Sequence, residues 1–231
     1  MTKQMQNLQT FLDGALFRSP GIRLLEAGCG SSSNLTFGGQ VQLVGIDISE
    51  KQLERNTVLH ERIAGDIQYY EFPAESFDGI VCWDVLEHLP HPELALREFS
   101  RAVKHGGFVI LKMPNVLSLK GLVTKFLPHI LHVLAYRYFW GVKDAGKNDT
   151  LPFRTYLRFC ISAGAIRKQG RQLGLETVYF ATEDVADGPW LRKKKAVFVS
   201  YTVLKKIVNL LSGGFIGDSE LIMVLTKVQQ S

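Results

Sequence analysis

Cysteine is scarce in this chain. Cys29, Cys82 and Cys160 are the three among 231 residues, odd in number and far apart. That excludes a disulfide framework and a paired-cysteine metal site, and it suits a reducing compartment. No apolar run reaches the ~18 residues of a membrane span. Pro128 with His129 and His132 breaks one candidate, and Lys205-Lys206 interrupts the other. The opening MTKQMQNLQTFLDGALF lacks the apolar stretch and small-residue cleavage site of a secretory signal, so a cytoplasmic location is expected. Repeats and low-complexity tracts are missing too. Acidic residues run short in one half only. Residues 1–115 carry 10 Lys and Arg against 14 Asp and Glu, net −4, whereas residues 116–231 carry 17 against 8, net +9. A basic second half suits an acidic small molecule, an anionic membrane surface or nucleic acid, and charge alone does not choose among them.

The 46% hydrophobic and 21% charged content is that of a chain with a real core. The first half alternates short β-branched runs with helical patterns. Strands are expected at Ile22–Gly28, Val41–Ile48, Ala64–Tyr70, Asp78–Trp83 and Gly107–Met113. A helix is expected over Ser49–Arg62, where Ser49 and Gln52 form a capping box. A second starts at Pro92, shows an apolar face of Leu94, Leu96, Phe99 and Val103, and is expected to end at Gly106-Gly107. The Ser31–Gln40 crossover is so short that any helix in it must be very small. After Asn115 the pattern predicts two short helices broken at Pro128, helices over Ser162–Leu173 and Ala196–Leu211, and strands at Leu175–Ala181 and Glu220–Val228. Continuously apolar strands alternating with helices imply an α/β fold, a mostly parallel sheet covered on both faces.

The chemistry sits at strand ends. The first strand runs into Glu26-Ala27-Gly28-Cys29-Gly30, where glycines let the backbone approach a ligand. The second ends at Asp47, 21 residues after Glu26, where a carboxylate can accept from two vicinal ribose hydroxyls. NAD and S-adenosyl-L-methionine (SAM) both carry that ribose. A dinucleotide fingerprint needs a third glycine where this chain has Ser33, and Glu26 would repel a pyrophosphate but could anchor an ammonium. That favours SAM. The same glycine pair can equally be a plain tight turn.

Taken in order, LLEAGCGSSSN, VGIDIS and AGDIQYYEFPAESFDGIVCWDVLEHLPHPELALREFSRAVKHGGFVILKMPN resemble the class I SAM-dependent methyltransferases, in particular the branch with a D-x-L-E-H-L segment after the fourth strand. The resemblance spans Ile22–Asn115. It implies a Rossmann-like sheet of seven strands with helices on both faces, the last strand antiparallel and inserted beside the fifth, and a helical insertion after the fifth. It implies SAM as cofactor, with Glu26, Gly28 and Gly30 at the methionine end, Asp47 on the ribose and Ile48 against adenine. Asp66 would accept from the adenine amine with Ile67 beside it, and Trp83 would meet the methionine portion through its backbone. One departure is Ser32, where the family usually has another glycine. On this reading residues 1–231 form one domain, 1–115 binding the cofactor and 116–231 supplying the acceptor side and the last two strands.

Methyl transfer asks mainly for alignment and exclusion of water; a base is required only for a hydroxyl of high pKa. His88 is the candidate base, with a structural role at a helix start as the alternative. No metal is implied. The acceptor is expected to be small or lipid-like and anionic in character, bound by residues 116–158 and 182–195. The apolar stripe Leu117, Leu119, Leu122, Val123, Phe126 and Leu127, and Arg192-Lys193-Lys194-Lys195 leading into Ala196-Val197-Phe198-Val199, also suit a peripheral contact with an anionic membrane. Nucleic acid is disfavoured, since no nucleic-acid module is recognisable. A non-catalytic partner-binding protein and a nicotinamide-dependent oxidoreductase stand as alternatives.

Overall fold

A computed structural model describes residues 3–15, 21–33, 35, 41–139, 143, 145, 153–184, 195–213 and 216–228. Seven strands form one sheet: β1 (Ile22–Ala27), β2 (Val41–Asp47), β3 (Glu61–Ala64), β4 (Phe77–Trp83), β5 (Val103–Pro114), β6 (Leu175–Glu183) and β7 (Glu220–Lys227). Their order is β3-β2-β1-β4-β5-β7-β6, with β7 antiparallel to both of its neighbours.

Strand alternation explains why helices cover both faces. In β5, Val109, Leu111 and Met113 point one way and Ile110 the other; in β7, Leu221, Met223 and Leu225 oppose Ile222 and Val224. The first set packs with Leu96 and Phe99 of α3 (Pro92–Ala102) and Ile166 of α6 (Ala163–Gln172). The second packs with Leu8 and Leu12 of α1 (Lys3–Ala15). α1 is not among the expected helices, although Met5, Leu8, Phe11 and Leu12 have helical spacing. Phe11 wedges between Phe108 and Tyr179, with ring centroids at 6.2 and 5.4 Å.

Three boundaries differ from expectation. The helix expected over Ser49–Arg62 is only α2 (Glu50–Arg55). Asn56 turns its backbone N–H onto the carbonyls of Gln52 and Leu53, and the Arg62 guanidinium takes the carbonyls of Leu53 and Asn56, so the helix end is satisfied within two turns. The third strand is Glu61–Ala64 rather than Ala64–Tyr70. Asp66 stops it by forming a turn: its carboxylate accepts from the Gln68 N–H at 2.9 Å and its carbonyl from the N–H groups of Tyr69 and Tyr70. Finally, α3 ends at Ala102, and Gly106-Gly107 bend β5 instead of capping the helix. Gly106 has φ +73°, and a Cβ on Gly107 would lie 2.8 Å from the Asp78 carbonyl.

The late elements match their expected order. Pro128 separates α4 (Leu119–Phe126) from α5 (His129–Phe139), and α7 (Lys195–Leu211) leads into β7. No helix among the described residues is long and apolar enough to cross a membrane. The Ser31–Gln40 crossover is described only at 31–33 and 35, where it is not helical; its other residues lie outside the described ones.

Candidate cofactor and acceptor site

The order of strands reverses between β1 and β4, and in open α/β sheets ligands sit beyond the C-terminal ends at such a point. The structure brings Glu26, Gly28, Gly30, Asp47 and Ile48 to that edge, with Asp66 after β3 and Trp83 at the end of β4.

The turn after β1 is fastened from several sides. Gly28 and Cys29 donate to the Ile46 carbonyl at 2.8 and 3.2 Å, and Gly30 donates to Asp47 Oδ2 at 2.9 Å. The buried Asn56 amide reaches the carbonyls of Cys29 and Gly30. Gly28 has φ +71°, and a Cβ there would fall 2.4 Å from Val85 Cγ2, so packing against the loop after β4 demands glycine. Gly28→Ala is expected to destabilise the protein by about 2–4 kcal/mol, left-handed strain adding to overpacking, as measured by denaturant unfolding. A loss under ~1 kcal/mol would mean that Val85 moves freely.

Three carboxylates line the edge. Glu26 is buried and accepts the Ser33 hydroxyl. Asp47 accepts from Gly30 and, through Oδ1, from the Ser49 N–H at 2.9 Å. A carboxylate has about four acceptor positions, so two remain for a ligand. Asp66 is held by Gln68, whose Nε2 lies 3.0 Å from both oxygens and whose Oε1 accepts the His91 N–H at 2.8 Å. Beside them Ile48 is 78% exposed, a bare apolar surface directly after Asp47. This donor set fits the cofactor implied by the resemblance: acceptors suit a ribose diol, an amine and an ammonium, whereas a pyrophosphate would meet an acidic wall. Ile67 follows Asp66, with its side chain buried in the main core with Phe72 and Leu89.

At the end of β4, Trp83 lies under Lys112 Nζ, 6.0 Å from the ring centroid. Asp84 follows with φ +54°, and its carboxylate takes Lys112 Nζ at 2.5 and 2.7 Å. Glu87 and His88 then lie in a 3₁₀ turn, Leu86–His88. Glu87 is 3% exposed, and its Oε2 has no hydrogen-bond partner among the described residues. Burial first, and the nearby Asp84 second, push its carboxyl up to about 8, so it is largely protonated at neutral pH. Its carbonyl accepts the N–H groups of Tyr156 and Leu157 at 2.8 and 3.0 Å, pinning segment 153–158 over the turn.

His88 Nδ1 lies 2.8 Å from the Arg154 carbonyl. A carbonyl only accepts, so Nδ1 carries the proton and Nε2 carries the lone pair, 3.9 Å from Glu87 Oε1. Burial lowers the pKa of His88 against the opposing pull of the Arg154 carbonyl and Asp84, keeping the ring neutral. Phe153 packs edge-on against it at 6.0 Å. His88 is legible in the sequence, whereas Arg154, Gln68 and Lys112 are not. The first acts through a backbone carbonyl, which no side-chain pattern reveals; the other two are ordinary polar residues until the fold brings their carboxylates to them.

Residues 2–179 match the family model described as a methyltransferase domain. Among curated proteins, the chain is 27% identical over 168 residues to a ubiquinone biosynthesis O-methyltransferase of Thiobacillus denitrificans, covering 68% of this chain and 66% of that one. It is 38% identical over 163 residues to the protein of that name from Ralstonia nicotianae, covering 65% and 63%. The matched stretch spans from 44% to 66% of the length of the curated relatives. Among solved structures, a Haemonchus contortus phosphoethanolamine N-methyltransferase in complex with SAM has TM-score 0.54 at 18% identity, covering 97% of this chain and 52% of that one. That likeness is one of fold.

Proposed function

The chain belongs to the SAM-dependent methyltransferase family with the class I, Rossmann-like fold, and from that premise we propose that it methylates a hydroxyl of a small or lipid-like acceptor, with His88 as general base. SAM supplies a methyl group already activated on a sulfonium centre. Asp47 would hold the ribose hydroxyls, Asp66 the adenine amine and Ile48 one adenine face. Glu26, Gly28 and Gly30 would shape the methionine end, and the backbone of Trp83 would close it. Segment 153–158, tied down through the Glu87 carbonyl, keeps water from the reacting atoms.

The observation that carries the hydroxyl reading is the 2.8 Å contact of His88 Nδ1 with the Arg154 carbonyl. A neutral imidazole with Nδ1 committed to a carbonyl offers Nε2 to an acceptor proton, which leaves the hydroxyl as its oxygen attacks the methyl carbon. An amine acceptor that is already neutral would not need this. The relatives named for O-methylation support the same choice.

Calorimetric titration of SAM into the wild type and Asp47→Ala tests the cofactor site. Loss of the ribose hydrogen bonds should weaken binding by about 1.5–3 kcal/mol. Asp47→Asn keeps one acceptor oxygen and should fall between the two. No SAM binding by a folded wild type would refute the site. Methyl transfer from labelled SAM to prenylated phenols and catechols, compared with amines, then tests the acceptor, and exclusive labelling of amines would overturn the hydroxyl reading.

A further inference from the structure

A helix on a protein surface normally turns its apolar stripe inward; α7 does the reverse. Its polar side faces the body. Lys205 bonds to Asp184 and, at 2.9 Å, to Asp218, and Tyr201 meets Ser219 at 3.3 Å. Asn209 accepts the Ile216 N–H at 3.3 Å. At 100° per residue, Val199, Val203, Leu204, Ile207, Leu210 and Leu211 fall on the other side, and all are exposed, Leu210 and Leu211 at 83% and 82%. The side-chain bonds of Lys205 and Tyr201 to Asp184, Asp218 and Ser219 turn the polar side inward and leave the apolar side outward.

We propose that this face of α7 docks on an anionic lipid bilayer. Charge complementarity selects that occupant. Lys195 and Lys206 border the apolar arc, Arg192-Lys193-Lys194 precede it in the sequence outside the described residues, and residues 116–231 carry net +9. Two copies meeting through one patch would bring these like charges together, whereas anionic headgroups neutralise them while the apolar residues enter the interface. The neighbouring elements also expose apolar residues. Lys120 of α4 pairs with Glu220 at the start of β7, and the Gly217 N–H bonds to the Leu117 carbonyl, so α4 and the α7–β7 connection share one edge. Phe126 of α4 and Tyr138 of α5 are 72% and 82% exposed. The shared edge is the one that carries the cofactor site, so a docked molecule would bring that site toward the membrane surface. Docking does not depend on which acceptor is methylated.

The test is co-sedimentation of the full chain with vesicles of phosphatidylcholine containing phosphatidylglycerol, against phosphatidylcholine alone. Wild type should pellet with the anionic vesicles and be released by salt. The double variant Ile207→Glu/Leu210→Glu, altered at exposed positions, should lose about tenfold or more in partitioning, and Lys206→Glu about fivefold. Circular dichroism and SAM titration monitor the fold of each variant; loss of SAM binding by the wild type would strike the cofactor site and leave docking to be judged by the vesicles. Wild type remaining in the supernatant, or the double variant pelleting as well as wild type, overturns the proposal. So does a concentration-dependent dimer that the double variant abolishes, which would assign the face to a second copy.

Discussion

His88→Asn is expected to lower kcat for a hydroxyl acceptor by about a hundred- to ten-thousand-fold, the usual worth of a positioned base, while SAM affinity stays at the wild-type value. Asparagine is chosen because its side-chain N–H can reach the Arg154 carbonyl much as Nδ1 does, which keeps segment 153–158 in place and removes only Nε2. His88→Ala removes both and should add disorder of that segment to the loss of the base. The pH profile carries a sign. The neutral ring is the active form, so kcat falls as pH drops through the His88 pKa, which burial holds below the usual 6.5. The acidic limb should therefore lie below 6.5 and vanish in His88→Asn. Retention of kcat within a few-fold of wild type would return His88 to a structural role at the 3₁₀ turn.

The second large effect is on stability. The Glu87 carboxyl titrates near 8 in the folded protein against 4.5 when unfolded. The folded state then holds a proton that the unfolded chain releases. The stability tied to that proton is complete below about 4.5, is lost as pH rises, and is gone above about 8. At 1.36 kcal/mol per pKa unit this amounts to about 5 kcal/mol across the window. Glu87→Gln carries no such proton. Denaturant unfolding at a series of pH values should show the variant gaining on wild type by up to about 1.4 kcal/mol per pH unit between those limits, and by a constant amount beyond them. The amide's own unmade hydrogen bonds shift the whole difference but not its slope. A difference that does not change with pH would mean that Glu87 is ionised and satisfied in the native state. An acid left buried and neutral beside a candidate base is the kind of stability cost that gathers at working sites.

Most of the sheet can be read from the chain because the information is local. β1, β2, β4 and β7 are buried along most of their length, so their apolar runs announce them, while β6 is marked by alternation of half-buried and exposed residues after Gly174. Gly28, Gly30 and Asp47 are legible for the same reason: a glycine-bearing turn and an acidic strand end have fixed spacing. The failures have local causes of another kind. β3 has four residues and weak burial, too little for its pattern to outweigh the apolar Ile67 and Tyr70 that follow it. The early stop of α2 depends on Arg62, which reaches back from the next strand. The Gly106-Gly107 pair looks like a helix end, and the glycine at 107 inside β5 is required by the backbone of Asp78, 29 residues earlier.

Composition, periodicity and motif spacing were thus sufficient for the α/β class, most of the strands and the placing of Glu26 and Asp47 at strand ends, since each is expressed within a few residues of itself; Asp66 was indicated only by the family resemblance. Three things required the folded chain. The neutral tautomer of His88 depends on a carbonyl 66 residues away. The protonated Glu87 depends on burial and on its distance from Asp84. The outward apolar face of α7 depends on Asp184 and Asp218 holding Lys205. A protonation state and the rotation of a helix are both set by desolvation and by partners distant in sequence, and these come into being only when the chain closes on itself.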